Sequence, residues 1–386
     1  TVSDNFIANN GYLNGSHAGG AIGRDGGILD HCRFTGNLHR GALFLSAAVL
    51  PRRSVIRNSE FSGNVSEFGA ALTVGDGDGS TVVTQSMIVS NCIIRDNITT
   101  NHPGGFAVED YTDDFDATPT DYLIVDTVID NNRGGWGGGV LVACPSRSNV
   151  RFERCTISSN STSSRGGGIF VRGHLTLENT TLSANEAGTD GGGVFIHEDT
   201  LAVVHSTVYG NSAGRDGGGI HATNGGVSVG HSILDMNTAG RFGPEVAGDF
   251  QALDNNLFGS SNGWNATGSN ITIAASLLGP LADNGGPTLT HLPMSNSPAI
   301  NAGNPVFSPP PGTDQRGLSR VRGVALDLGA VEEPTPDQDF DNIPDEWEIV
   351  RGLNPGLANL ADSDMDGSSD FYEYITDTDP LDSNSA

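Results

Sequence analysis

Over the first 280 residues, apolar positions recur at two fixed distances ahead of a recurring asparagine. The asparagines are Asn10, Asn37, Asn64, Asn97, Asn131, Asn160, Asn185, Asn211 and Asn237, spaced 27, 27, 33, 34, 29, 25, 26 and 26. Three residues before them stand Ile7, Phe34, Phe61, Ile94, Val128, Ile157, Leu182, Val208 and Leu234. Eight before them stand Val2, Leu29, Ile56, Val89, Leu123, Phe152, Leu177, Val203 and Val229. Locally the pattern alternates, as in "LTLENTTL" (175–182) and "VSVGHSIL" (227–234), and period two predicts strands. A self-similar period of this length is the mark of a solenoid. Turns of about 26 residues, each with three short strands and three bends, predict an all-β fold. We read residues 1–276 as a right-handed parallel β-helix of about ten turns. Strands stacked about 4.8 Å apart turn each sequence column into an internal row of like side chains.

Other columns carry the bends. Glycine runs ("GGAI", "GGGV", "GGGI") follow the asparagine where the backbone needs a positive φ or a close approach. The asparagine tolerates the left-handed region and can bond to its own kind in a ladder. Nine copies make this an architectural motif and not a catalytic one. Five residues before the asparagine the column reads Cys32, Ser59, Cys92, Asp126, Cys155, Thr180, Ser206 and Ser232, mostly small interior fillers. Cys32 and Cys92 lie two turns apart, roughly 10 Å, too far for a disulfide; a Cys144–Cys155 bridge is open. His205 and His231 occupy one column with His31, Asn58, Asn91, Arg154 and Asn179, which reads as a polar surface stack and alternatively as a metal site.

"FIAN", "FTGN" and "FSGN" with "GGAI" and "GAAL" resemble the repeats of polymorphic outer-membrane-type surface proteins, a likeness covering about residues 1–240. The resemblance implies a secreted β-helix and says little of activity. Residues 277–333 ("LLGPLADNGGPTLTHLPMSNSPAINAG", "TDQRG", "DLGAVE") resemble the closing module of secreted β-helix proteins. Their expected role is to cover the C-terminal strand edges, which otherwise template aggregation, with "PGTDQRG" locked by an Asp–Arg pair. The first turn has no such cover, so the chain reads as processed, with an end free to meet another copy.

Charge then changes the picture. The net charge is −27, all 19 basic residues are arginine, and aspartate (33) far outnumbers glutamate (13). A phosphate polymer would be repelled, so nucleic acid is excluded as a partner. No apolar run reaches the roughly 20 residues of a membrane span.

The acids concentrate in residues 334–386, after the linker "EEPTP". "DSDMDGSSDFYE" has the spacing of a calcium loop, with ligands at positions 1, 3, 5, 7 (a carbonyl), 9 and 12 and glycine at 6. That names Asp362, Asp364, Asp366, the Ser368 carbonyl, Asp370 and Glu373. An earlier copy names Asp337, Asp339, Asp341, the Ile343 carbonyl, Asp345 and Glu348, with Asn342 in place of the glycine. Both resemble thrombospondin type 3-like calcium repeats, which implies Ca²⁺ as the cofactor.

Three turns carry long insertions, and loops on a rigid scaffold are where binding is placed. Their carboxylates, Asp76, Asp78, Glu109, Asp110, Asp113, Asp114 and Asp116, are the candidate catalytic or sugar-gripping residues. A hydrolase needs two carboxylates about 5–9 Å apart, and Asp-rich loops would repel uronates. The expected function is an extracellular or cell-surface structural or adhesive protein, stabilised by calcium. Its expected partners are other copies, end to end in filaments, or surface and matrix polysaccharide. A polysaccharide lyase or glycoside hydrolase working in the loop groove, and a non-catalytic carbohydrate-binding passenger, are the alternatives.

Overall fold

The computed structural model describes residues 2–3, 6–8, 22–23, 28–38, 43–46, 53–67, 70–75, 86–109, 121–268, 270–304, 312–320, 325–333, 343, 348–349, 351–354, 362–376 and 378–383. Among these, short strands stack in parallel into sheets of 16, 11 and 7 strands, a parallel β-solenoid. One apolar row threads the 11-stranded sheet: Phe34, Phe61, Ile94, Ile129, Ile157, Leu182, Val208, Leu234 and Phe258 are successive partners. Each is fully buried, and Phe34 stacks flat on Phe61 with centroids 4.9 Å apart. Burying such a side chain contributes roughly 1.5–3 kcal/mol, so the row is the main stabilising feature of each turn. A second row, Leu29, Ile56, Val89, Ile124, Phe152, Leu177, Val203 and Val229, faces it from the largest sheet.

The asparagine row is a hydrogen-bonded ladder. Asn185 Oδ1 accepts from the backbone N–H and the Nδ2 of Asn160 (both 3.0 Å), while its own Nδ2 donates to Ile157 O (2.9 Å) and Asn211 Oδ1 (2.8 Å). The ladder ends on Glu245, whose Oε2 accepts from Asn237 Nδ2 at 2.6 Å. Burial pushes the Glu245 carboxyl up to about 8. In the fifth turn the ladder residue is Asn132 and not Asn131. Asn97 donates to Asn132 Oδ1 from both its N–H (3.1 Å) and its Nδ2 (2.8 Å). Asn131 instead takes the left-handed corner just before it (φ 52), the place of Asp96, Ser159 and Ala184 in neighbouring turns. The core residues of that turn shift with it, from Val128 and Leu123 to Ile129 and Ile124.

The small-residue column moves likewise from Asp126 to Thr127, and it proves to be a second ladder. Thr180 N, Ser206 N and Cys92 N donate to Ser206 Oγ, Ser232 Oγ and Thr127 Oγ1 in the next turns. All four cysteines are free and buried, so the Cys144–Cys155 bridge is not formed. The Cys155 thiol donates to Glu153 O and Ile124 O at the corner, whereas Cys144 sits within the largest sheet opposite Gly173. The glycine bends are fixed by contact: a Cβ on Gly193 would lie 2.6 Å from the carbonyl oxygen of Gly219 in the next turn.

The described residues of 277–333 lie along the flank, over the corner and second strand of turns between Arg154 and Asn255. Gln315 Nε2 donates to Cys155 O (3.0 Å) and Thr156 Oγ1 (3.0 Å), and its Oε1 accepts from Thr181 Oγ1 (2.7 Å). Ala330 N donates to Thr207 Oγ1, and Asn255 Nδ2 to Ala302 O. Arg316 is locked on Asp314 as a buried pair at 2.8 Å. Arg320, fully buried, bonds Asn179 Oδ1 and Gly329 O and pairs with Glu332 at 3.1 Å. A guanidinium keeps its proton, so Glu332 supplies the compensating charge. The covering segment also overturns the surface reading for His205 and His231, while His31 and Asn91 of the same column are exposed. His205 and His231 are buried, with rings stacked 4.8 Å apart and 10° from parallel. Burial, with Arg320 and His231 nearby, pushes His205 down to about 2, which keeps the imidazole neutral, and Asn304 N donates to His231 Nε2 at 3.1 Å.

Candidate functional site

The best-formed of the expected sites is the acidic loop before the short helix Asp370–Thr376. Three aspartates at alternate positions aim inward because Met365 and Gly367 take positive φ (63° and 103°) and curl the chain. Asp366 N donates to Asp362 Oδ1 (3.0 Å) and Asp364 Oδ1 (3.1 Å), and Gly367 N to Asp362 Oδ2 (2.8 Å). Asp370 is buried, fixed by the N–H and hydroxyl of Ser363 at 2.9 and 2.6 Å. Glu373 is buried one helical turn later. One oxygen of each of Asp362, Asp364 and Asp366 lies within 4.8 Å of the others. The Oδ2 atoms of Asp364 and Asp366 are shielded from solvent and receive no hydrogen bond. Desolvation raises the Asp364 pKa, with repulsion from Asp366 and Asp362 adding to it. Shielded carboxylate oxygens converging without a donor suit a hard divalent cation, so these residues could hold one.

In the earlier acidic copy, Ile343 and Glu348 are buried, and Asp337, Asp339, Asp341 and Asp345 fall outside the described residues. The loop carboxylates Asp76, Asp78, Asp110, Asp113, Asp114 and Asp116 also fall outside them. Glu109 is described: it closes a strand of the largest sheet and lies 3.4 Å from His102 Nδ1.

A second group with metal-compatible spacing was not expected. Asp190, Asp216 and His221 bring ligand atoms within 4.8 Å of one another on the flank. Asp190 and Asp216 stand just before the glycine bends of successive turns, and His221 is the outward residue of the strand after the second bend. Three arginines face the two carboxylates. Arg165 Nε and Arg215 Nε lie 3.4 and 3.3 Å from Asp190, and Arg241 grips Asp216 with Nε (3.2 Å) and its terminal nitrogen. Desolvation lowers the His221 pKa, against the pull of Asp190. The signal was present in the sequence: before the glycines the chain reads Trp136, Arg165, Asp190, Asp216 and Phe242, a column that changes type where its neighbours repeat. No protein-family model, curated protein or solved structure matches the chain.

Proposed function

We propose that the protein is an extracellular or cell-surface structural or adhesive protein, a right-handed β-helix rod whose acidic tail is ordered by calcium. The observation that carries this reading is the Asp362–Glu373 loop, where Asp362, Asp364 and Asp366 bring an oxygen each within 4.8 Å of the others and the Oδ2 atoms of Asp364 and Asp366 are shielded and without a donor. The likeness of the tail to thrombospondin type 3-like repeats, and the repetition of the core rows along the rod, support it. Calcium would take Asp362, Asp364, Asp366, the Ser368 carbonyl, Asp370 and Glu373, and would offset the mutual repulsion of the tail. Extracellular modules of this kind bind calcium with dissociation constants of about 10⁻⁴–10⁻³ M. End-to-end association belongs to the same reading, and the terminal strand Ile271–Ile273 has one paired neighbour among the described residues.

Calorimetric titration of the full chain with CaCl₂ tests the reading, with electron microscopy in calcium and in chelator. Expected are saturable calcium binding, weak competition by magnesium, and assemblies that disperse on chelation. Absence of binding at millimolar calcium refutes calcium ordering, and single rods in both conditions refute end-to-end assembly.

A further inference from the structure

The solenoid repeats one residue type along most of its columns, and the flank before the glycine bends departs from that rule. Trp136 is 59 % exposed and stacks on Phe170 (centroids 5.8 Å, 21°). Phe170 in turn stacks on Phe195 (5.2 Å, 30°), and Phe195 meets His221 at 5.3 Å. Phe170, Phe195 and His221 are partners on adjacent strands; Phe170 and Phe195 are buried outside the main core and back the strip, and Trp136 offers the exposed ring. The Arg165 guanidinium lies 5.0 Å over Phe195, and Arg241 lies 5.9 Å from the exposed ring of Phe242. From Trp136 to Phe242 the strip crosses four strand spacings, about 19 Å.

Its charge is opposite to that of the whole. Arg165, Arg215 and Arg241 set against Asp190 and Asp216 leave one positive charge, with His221 neutral, on a chain of net charge −27. Asp190 is 2 % exposed, yet its Oδ1 accepts no hydrogen bond. Its contacts with Arg215 Nε (3.3 Å) and His221 Nδ1 (3.8 Å) are ion-pair contacts without hydrogen-bond alignment. A resident metal is disfavoured, because guanidiniums already neutralise both carboxylates. Proton-transfer chemistry is disfavoured for the same reason.

We infer that this strip binds an acidic polysaccharide. The face of a sugar ring lies on Trp136, and uronate carboxylates meet the solvent-facing terminal nitrogens of Arg165, Arg215 and Arg241, whose Nε atoms face Asp190 and Asp216. Arginine forks match carboxylates in two-point geometry, and a flat aromatic ring offers an apolar surface to the C–H face of a sugar. Duplex nucleic acid, with one charge per about 1.7 Å, would bring far more negative charge against this acidic chain than a polymer charged once per sugar. The inference gives the adhesive reading a ligand class and rests on it. Binding is measured in chelator, so failure of the calcium site and failure of this strip remain distinguishable.

The test is calorimetric titration of the full chain with oligogalacturonate and oligomannuronate, with neutral cello- and xylo-oligosaccharides as controls. Uronate binding that weakens with added salt is expected, with neutral sugars bound more weakly. Trp136→Ala should weaken it about 3- to 10-fold, and Arg241→Ala about 10-fold or more. Arg172→Ala, whose side chain pairs with Glu198 outside the strip, should bind as the parent does. Thermal melts of each variant establish that it is folded. The inference is overturned if no uronate oligomer binds at millimolar concentration. It is also overturned if folded Trp136→Ala and Arg241→Ala bind like the parent, or if neutral sugars bind equally well.

Discussion

Replacing Asn132 by alanine, beside the same change at its neighbour, puts the ladder and its register to one test. The Asn132 side chain makes four hydrogen bonds: two accepted from Asn97, and two donated, to Ile94 O (2.9 Å) and Asn160 Oδ1 (3.0 Å). Truncation strands the fully buried backbone N–H of Asn97, costing about 1–3 kcal/mol, and takes one partner from each of three further buried groups, Asn97 Nδ2, Ile94 O and Asn160 Oδ1, together about 2 kcal/mol because the first and last keep another bond. The sum is about 3–5 kcal/mol. Asn131 is exposed, donates once to Asp96 Oδ1 (2.7 Å), and sits at φ 52. Glycine accepts that conformation without strain, so Asn131→Gly should stay within about 0.5 kcal/mol. Melting temperature followed by far-ultraviolet circular dichroism separates the two. At about 2–4 °C per kcal/mol for a chain this long, Asn132→Ala should melt at least about 6 °C lower and Asn131→Gly within about 2 °C of the parent. Equal losses from the two, or a larger loss from Asn131→Gly, would refute the ladder register.

Three further outcomes follow from the same geometry. Asp364→Asn and Asp366→Asn should each weaken calcium binding by about 10-fold or more while leaving the melting of the solenoid unchanged, because each removes a charged ligand from one loop. Thiol titration should find no fast-reacting cysteine in the native chain and four in denaturant, since all four are buried and free, and burial pushes Cys92 and Cys155 up to about 12. A blocked pair in denaturant would restore the Cys144–Cys155 bridge. pH should act in two opposite senses. His205 is held down to about 2 in the fold against about 6.5 unfolded, so stability is full above pH 6.5 and falls as pH drops below it, less so in His205→Phe. Glu245 is raised to about 8, so its contribution is full below about pH 4.5 and is lost as pH rises through 8. Glu245→Gln should therefore melt higher than the parent at pH 9 and not at pH 5.

The core rows were legible because a solenoid writes each column as a local, repeated choice: Phe34, Phe61 and Ile157 are apolar at a fixed distance from an asparagine. The fifth turn misled because "NN" at 131–132 offers two asparagines, and only the three-dimensional partner, Asn97, distinguishes ladder from corner. The burial of His205 and His231 could not be read, since their cover comes from segments distant in sequence; Asn304, for example, follows His231 by 73 residues. The flank strip was hidden by the alignment itself. Columns were found by what repeats, and Trp136, Arg165, Asp190 and Asp216 run from aromatic to cationic to anionic along one column. The clustering of Asp362, Asp364 and Asp366 was legible because these residues alternate within one short loop.

The strap formed by residues 277–333 has a mechanical consequence. In an array where each repeat touches only its neighbours, unfolding begins at an end and proceeds one repeat at a time. Here a single covalent segment grips Thr156, Thr181, Thr207 and Asn255 together, so those turns cannot fray singly. Their amide protons should exchange at one common rate, set by peeling of the strap, while the turns before residue 150, which the strap does not touch among the described residues, exchange in a graded series. The flank segment thus converts the C-terminal half of a linear array into one cooperative block.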